Sequence, residues 1–177
     1  MTMANVVAGS YADALFELGK QEAKVEQYKL DLLEMKQIYE MSDELRKVLE
    51  SPRIAKADKK AILRRLYAGE PFVMNFLQVL ADRDRYRLFP DIVDAYVEKA
   101  NELLGIEVAE CTSAVALDEK SAAALQKALE KKLNKRVEMK FRIDPEIIAG
   151  IRVRINDEVM DNTILHRLNE LKTRLES

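Results

Sequence analysis

The stretch FLQVLADRDRYRLFPDI, residues 76–92, sets six charged side chains among leucines and aromatics. Three interpretations suit such a stretch: a basic patch for nucleic acid, a cluster of catalytic carboxylates, or a joint between two helices. Apolar residues recur at helical spacing on both sides of the charged run, and Pro90 is a residue type favoured in the first turn of a helix. Arg83 would lie near the end of the preceding helix, where free carbonyls favour a cation. The pattern therefore favours a joint between a fifth and a sixth helix.

The charge balance argues against nucleic-acid binding. Of 177 residues, 34% are charged and 48% are hydrophobic, which suits a folded chain with a substantial core. Residues 1–105 hold 16 Lys and Arg against 18 Asp and Glu, a net charge of −2, and residues 106–177 hold 13 of each. A nucleic-acid binder usually has a strongly basic domain. We therefore predict no nucleic-acid partner.

Few residues offer catalytic or metal chemistry. Cys111 and His166 are the only cysteine and histidine, which excludes a disulfide framework and zinc sites of the Cys/His kind. A catalytic dyad would require these two residues to meet, and the apolar surroundings of Cys111 favour a buried structural role. The chain has five glycines and no phosphate-binding loop or nucleophile elbow. The sequence therefore predicts a non-catalytic protein without a cofactor.

Carboxylates are plentiful, but most lie on the polar faces of predicted helices among Lys and Arg. Such solvated ion pairs contribute roughly 0.3–0.5 kcal/mol each. Asp144, Asp157 and Asp161 lie at predicted strand ends, where metal ligation and turn or cap roles are both open. Turn and cap roles explain them more simply, so we predict no metal site.

The first hundred residues read as six helices with short connections, which is typical of a bundle. Apolar residues repeat at three- and four-residue spacing, with Gly19 as the expected end of the first helix and Ser42 as the start of the third. The fifth helix opens at Pro71 and the sixth ends at Gly105. The expected apolar face of the fifth helix is Phe72, Phe76, Leu77 and Leu80.

After Gly105 the pattern changes to a small α+β unit. Residues 106–117 suggest a strand with a phase slip near Ala109, which predicts a bulge. Asp118 is expected to cap a helix. Two further strands alternate apolar with charged residues at 137–143 and 151–155, Asn156-Asp157 forms a turn, and a final helix follows. The fold class is therefore mainly α: a six-helix bundle over 1–105 and an α+β domain over 106–177.

No apolar run approaches the roughly 18 residues of a membrane span, and the N-terminus does not resemble a signal peptide. We expect a cytosolic protein that reaches a membrane only through a partner.

Several motifs resemble one family. SYADALFELG at 10–19, NFLQVLADRDRYRLFPDIVDAYVEKANELLG at 75–105, AECTSAVALDEK at 109–120 and IDPEIIAGIRVRINDEVMDNTILHRLNEL at 143–171 occur in family-like order. Together they look like the delta subunit of bacterial rotary ATP synthases, the relative of the mitochondrial oligomycin-sensitivity-conferring protein. The chain departs from the family pattern at Ala149-Gly150, where Gly-Gly is usual, and at Asp161-Asn162-Thr163, where Asp-Gly-Ser is usual. Asn tolerates a left-handed backbone and Thr can cap a helix, so the fold expectation is unchanged.

The resemblance implies a non-catalytic stator subunit that joins the catalytic head to the peripheral stalk and resists rotor torque. It implies one copy per ATP synthase, on the cytoplasmic side of the cell membrane, attached to the membrane only through the complex. The N-terminal domain would bind the N-terminal helix of an alpha subunit, and the C-terminal domain would contact b-type stalk subunits.

The resemblance places the alpha-subunit groove between the first and fifth helices. Carried onto this chain, its lining is Tyr11, Ala14, Leu15, Leu18, Asn75, Phe76, Val79 and Leu80. Each of these apolar residues could instead fill the bundle's own core, and Val79 has the least evident inward role. The expected stalk contacts are Arg152, Arg154, Arg167, Leu171 and Leu175, which could instead be an ordinary strand face and helix core.

Three other functional classes remain beside this one. The first is a helical adaptor, unrelated to ATP synthase, that binds an amphipathic helix of a partner. A nucleic-acid-binding helical bundle is disfavoured by charge, and a small hydrolase is disfavoured by the scarcity of catalytic residues.

Overall fold

The computed structural model describes residues 3–147, 150–155 and 158–161. Backbone contacts divide the chain into two compact units, Met1–Leu104 and Gly105–Ser177. The first unit contains six α-helices and a 3-10 turn, Tyr86–Leu88. The helices are α1 Met3–Gln21, α2 Val25–Met41, α3 Asp43–Glu50, α4 Lys56–Leu66, α5 Pro71–Asp82 and α6 Phe89–Leu104.

Several helix ends follow from local chemistry as predicted. The Ser42 side chain accepts a hydrogen bond from the Leu45 N–H at 3.2 Å, which caps α3. Pro71 occupies the first turn of α5, where a missing N–H is tolerated. Gly105 follows α6 with φ +63°, a conformation that suits glycine.

Gly19 does not end α1, because the helix continues to Gln21. A Cβ at position 19 would lie 2.8 Å from the Tyr96 hydroxyl and 3.3 Å from the Tyr28 ring. The glycine therefore permits close packing inside the unit. Close approach, not helix termination, explains this residue.

The core of the first unit is built on aromatic side chains. Tyr28, Tyr86, Tyr96 and Phe89 are among its largest fully buried residues. Helix α6 packs on α1 and α2, and α4 packs on α5. Each fully buried large apolar side chain contributes about 1.5–3 kcal/mol through removal from water.

The apolar face of α5 differs from the prediction at its first turn. Val73, Phe76, Leu77 and Leu80 are buried, whereas Phe72 is 38% exposed. The buried positions step by three, one and three residues, so Val73 takes the inward place in the first turn. The predicted core role of Phe72 is therefore wrong.

The second unit carries a four-stranded sheet and one described helix. Its elements are β1 Ile106–Ser113, α7 Glu119–Leu133, β2 Arg136–Ile143, β3 Ile151–Ile155 and β4 Glu158–Asp161. The strand order is β2-β1-β3-β4. Strands β1 and β2 are parallel, whereas β3 pairs antiparallel with both β1 and β4. The predicted cap at Asp118 is present, with the Ser121 N–H donating to its carboxylate at 2.6 Å.

The predicted bulge in β1 is wrong. Pairing with β2 runs without a break from Ile106–Arg136 to Ser113–Ile143. Ile106 and Ala109 are both buried although they lie on opposite faces, and this produced the apparent phase slip. The strand also ends at Ser113, earlier than the predicted residue 117.

Strand β2 is only partly covered along its apolar face. Val137 is buried, but Phe141 and Ile143 are exposed by 49% and 61%. The apolar face of β2 is therefore buried near its start and open to solvent at its far end.

In the described ranges, no helix combines the length and apolarity that crossing a bilayer requires. The predicted turn at Asn156-Asp157, the final helix and the stretch 162–163 lie outside the described residues. The predominantly helical fold class is confirmed.

Candidate functional site: a groove between the first and fifth helices

Helices α1 and α5, the predicted walls of the groove, run antiparallel. At one end, Lys24, just after α1, donates to the carboxylate of Glu70, just before α5, at 2.8 and 3.0 Å. At the other end, Arg85, just after α5, donates to the Tyr11 hydroxyl of α1 at 2.9 Å. The two contacts tie the two ends of α5 to the middle of α1 and to the turn after it, so they fix the antiparallel direction of the two helices.

The α1 wall separates into exposed and buried positions. Ala14 is exposed, Leu18 is 37% exposed and Tyr11 is half-buried. Leu15 is only 2% exposed and belongs to the core of the helical unit. Leu15 therefore supports the wall from inside, which corrects its predicted role as groove surface.

The α5 wall separates in the same way. Asn75 is exposed and Val79 is 44% exposed, so both present side chains outward. Leu80 is completely buried and, like Leu15, is core and not groove surface. Phe76 is mostly buried and meets Tyr11 edge-on, with 6.3 Å between ring centroids. This aromatic contact packs α1 against α5.

A shallow pocket of about 430 Å³ lies at the Tyr11 end of the groove. Its lining is Val7, Ser10, Tyr11, Ala14 and Arg85. The Arg85 guanidinium also lies over the Tyr11 ring, 5.6 Å from its centroid, a cation–π arrangement.

Sequence reasoning missed three of these lining residues. Val7 and Ser10 are recoverable in principle, since they lie four residues before Tyr11 and Ala14 on the same helix face. Phe72 does not line the pocket, but it is a further exposed apolar residue of α5 that the sequence assigned to the core. No pattern in the neighbouring sequence predicts that Arg85 lines the pocket, because its position depends on how the joint after α5 folds.

A buried polar cluster lies where α5 begins. The Asp31 carboxylate of α2 accepts hydrogen bonds from the Tyr67 hydroxyl, the Glu70 N–H at 3.2 Å and the Gln27 side chain at 2.8 Å. Burial, reinforced by the bond to Asp31, raises the pKa of Tyr67 far above its usual range, so the phenol stays protonated as the donor. Asp31 therefore ties the end of α4 and the start of α5 to α2.

The charged run after α5 is a joint between helices, as predicted. Lys60 pairs with Asp82 at 2.7 Å and the buried Lys59 pairs with Asp84 at 2.9 Å. Lys56 donates to the Asp82 carbonyl. The hydrogen bond from Lys59 holds the pKa of Asp84 below its usual range. These acids are thus structural partners of α4 lysines, which leaves no pair of free carboxylates here for acid–base work.

A second candidate surface lies on the sheet of the C-terminal unit. Arg152 and Arg154 alternate with the buried Val153, so they lie on the face opposite the apolar cluster that contains Leu129. They stand beside Thr112 and Glu110 of β1. The predicted stalk residues Arg167, Leu171 and Leu175 lie outside the described residues.

Little in the described ranges suits chemical catalysis. Cys111 is buried, and burial raises the pKa of its thiol, which disfavours the reactive thiolate. Within those ranges, no group of three or more His, Cys, Asp or Glu could hold a metal ion. His166, the other half of the weighed dyad, lies outside them.

Comparison with known proteins connects this geometry to a family. The model of the ATP synthase delta (OSCP) subunit family matches residues 7–175. ATP synthase subunit delta of Oceanobacillus iheyensis is 36% identical over 169 residues, covering 94% of this chain and 93% of the relative. The Symbiobacterium thermophilum subunit delta is 34% identical over 175 residues, covering 98% and 94%.

A solved structure shows the same fold. A chain of the Toxoplasma gondii mitochondrial ATP synthase hexamer aligns with a TM-score of 0.68 at 20% identity, covering 100% of this chain and 99% of that one. At this identity the likeness is evidence for the fold alone.

Proposed function

Because the chain belongs to the ATP synthase delta (OSCP) subunit family, we propose that it is a non-catalytic stator subunit that links the catalytic head to the peripheral stalk. The observation that carries this proposal is the exposure of apolar residues on α1 and α5, the predicted groove walls. Leu18 and Val79 keep 37% and 44% of their surface exposed there. Neighbouring Leu15 and Leu80 already fill the core, so the exposed residues are surplus to the fold and available to a partner.

The occupant of the groove is the amphipathic N-terminal helix of an alpha subunit. Helix-in-groove recognition places apolar anchors of the incoming helix, spaced one turn apart, into an apolar channel. The small Ala14 side chain lets a helix backbone approach closely, and Tyr11 offers an aromatic surface with a polar tip. Asn75 and Arg85 supply polar groups at the edges of the channel.

The C-terminal unit provides the second attachment, to b-type subunits of the peripheral stalk. Arg152 and Arg154 lie on the sheet face away from α7's apolar cluster. The sequence of the last segment adds Arg167, Leu171 and Leu175. Two attachments through one chain strengthen the joint, since the second contact forms at a high effective concentration.

The role is mechanical. The subunit, present once per enzyme, contributes binding free energy and stiffness that hold the head still against rotor torque and so support proton-coupled ATP synthesis. Interfaces of about 800 Å² per partner span micromolar to far tighter affinities, so the packing of a few anchors matters more than area. The subunit would act at the cytoplasmic side of the cell membrane, held there by the complex.

Calorimetric titration of the full chain with a synthetic peptide tests this function. The peptide is the first ~20 residues of the cognate alpha subunit, about 30 Å when helical. We expect one-to-one binding with a negative heat-capacity change, the signature of apolar burial. A composition-matched scrambled peptide is the control. No binding by a chain with a native circular dichroism spectrum would reject the alpha-helix groove.

A further inference from the structure

We propose that Asp31 is a positioning residue of the groove: from α2, its buried carboxylate fixes where α5 starts relative to α1 and thereby sets affinity for the docked helix. The inference rests on the proposed function, since it assigns a determinant of the same groove. Asp31 itself lies on α2 and is 7% exposed, so it acts through other residues and not by touching the partner.

Asp31 does the work of a helix cap from a neighbouring helix. Residue Glu70 occupies the N-cap position of α5, but its own side chain makes no capping hydrogen bond. The Glu70 N–H donates to the Asp31 carboxylate at 3.2 Å, so a side chain on α2 satisfies one of the N–H groups left free at the start of α5. A carboxylate at this place also complements the positive end of the α5 dipole.

The same residue connects this anchor to α1. The Glu70 carboxylate accepts hydrogen bonds at 2.8 and 3.0 Å from Lys24, which lies in the turn between α1 and α2. Glu70 is thus held through its backbone by α2 and through its side chain by the turn between α1 and α2, where the Lys24 N–H donates to the Gly19 carbonyl of α1 at 2.8 Å. Because α1 and α5 are the groove walls, this cluster determines their separation and register at one end.

Residue Tyr67 completes the anchor and depends on a glycine. The Tyr67 hydroxyl donates to the same Asp31 oxygen that receives the Glu70 N–H. A Cβ at Gly69 would collide with the hydroxyl and ring carbons of Tyr67. Substitution of Gly69 therefore offers a way to displace the phenol without touching Asp31.

A buried carboxylate is a costly way to gain stability alone. The free-energy cost of desolvating the carboxylate offsets much of the stabilisation from its hydrogen bonds. Well-packed apolar groups at such a site often stabilise the fold as well or better. Directional bonds from Tyr67, after α4, and from Glu70, before α5, instead specify one geometry. On this reasoning the carboxylate serves the placement of α5.

The test compares Asp31→Ala, Asp31→Asn and Gly69→Ala in the full chain, titrated with the alpha-subunit peptide. Asp31→Ala should weaken binding about tenfold, as expected if only about a tenth of molecules keep the competent groove. The Asp31→Asn chain should retain most of the affinity, because an amide oxygen still accepts from Glu70 and Tyr67. Gly69→Ala should follow Asp31→Ala. Leu49→Ala, which opens a cavity in α3, is the control for lowered stability.

Affinity of Asp31→Ala equal to wild type, or an equal loss in Leu49→Ala at matched stability, would overturn the proposal. If Asp31→Ala does not fold, the peptide affinities of Asp31→Asn and Gly69→Ala are compared with that of wild type. A wild-type affinity in Gly69→Ala would then overturn the proposal. Amide hydrogen exchange at Glu70 separates this inference from the proposed function. If wild type binds no peptide, the proposed function fails, yet faster exchange at Glu70 in Asp31→Ala still supports the anchor and unchanged exchange overturns it.

Discussion

The Lys59 ammonium group donates to the Asp84 carboxylate at 2.9 Å. Lys59 is completely buried on α4, while Asp84 occupies the joint after α5 with a left-handed φ of 51°. A buried ammonium without a partner is strongly unfavourable. Their pairing therefore binds the joint to α4 and offsets the cost of the unusual backbone at Asp84.

We predict that Asp84→Asn makes the chain less stable at neutral pH and that the deficit shrinks in acid. Residue Lys59 holds the pKa of Asp84 below its unfolded value. The stabilisation is therefore present above the unfolded pKa of about 3.9 and is lost as pH falls through the lower folded pKa. Urea unfolding of both chains across this range measures the difference. Asn tolerates positive φ as Asp does, so the substitution changes mainly the charge, and a deficit that does not vary with pH would contradict the role assigned to the Lys59–Asp84 pair.

Two glycines of α1 should respond oppositely to alanine. Nothing lies within 4 Å of a Cβ at Gly9, so Gly9→Ala should stabilise by about 0.5–1 kcal/mol through backbone entropy. Gly19→Ala places its Cβ 2.8 Å from the Tyr96 hydroxyl and should destabilise by about 1–3 kcal/mol. Urea denaturation of both variants makes the comparison. Stabilisation by both would mean that α1 can move away from α6 at little cost.

Alanine substitutions at Leu15 and Leu18 should affect different properties, stability for Leu15 and peptide binding for Leu18. Leu15→Ala empties a core position and should cost about 2–5 kcal/mol of stability. Leu18→Ala, at an exposed position of α1, should cost less than about 1 kcal/mol of stability. It should nevertheless weaken binding of the alpha-subunit peptide. Denaturant unfolding and calorimetric titration together measure both effects. Equal peptide affinity in Leu18→Ala and wild type would remove Leu18 from the groove.

Ala14→Asp should leave the fold intact and weaken peptide binding by more than about tenfold, because it puts a charge where an apolar helix must desolvate it. Ala61→Asp, at an exposed position of α4, is the matched control and should bind like wild type. Titration with the same peptide, beside a circular dichroism spectrum of each variant, checks the result. Normal binding by Ala14→Asp would exclude the pocket around Tyr11 as the docking place.

Local sequence signals predicted much of the helical unit. Spacing placed all six helices, and the caps at Ser42 and Asp118 formed as expected, since these depend on neighbours within four residues. The exposure of Val79 also agrees with its lack of an inward role in the α5 pattern.

Contacts between distant segments escaped sequence reasoning. The Tyr11–Arg85 bond joins residues 74 positions apart and the Asp31–Glu70 bond joins residues 39 apart. Gly19 was predicted to end α1 because glycine is common at helix ends. Helix propensity does not reveal that Tyr96, far along the chain, packs against this glycine. Leu15 and Leu18 have similar chemistry, and only the packed structure separates core from surface.

The central position of β1 has a consequence for synthesis of the chain. This strand is made first, yet its partners begin at Arg136 and Ile151. While the ribosome adds the intervening residues, both edges of an apolar strand remain open, a template for intermolecular pairing. Translation that stops after α7 should therefore yield aggregating fragments, and non-local pairing should make this sheet the slow step of folding.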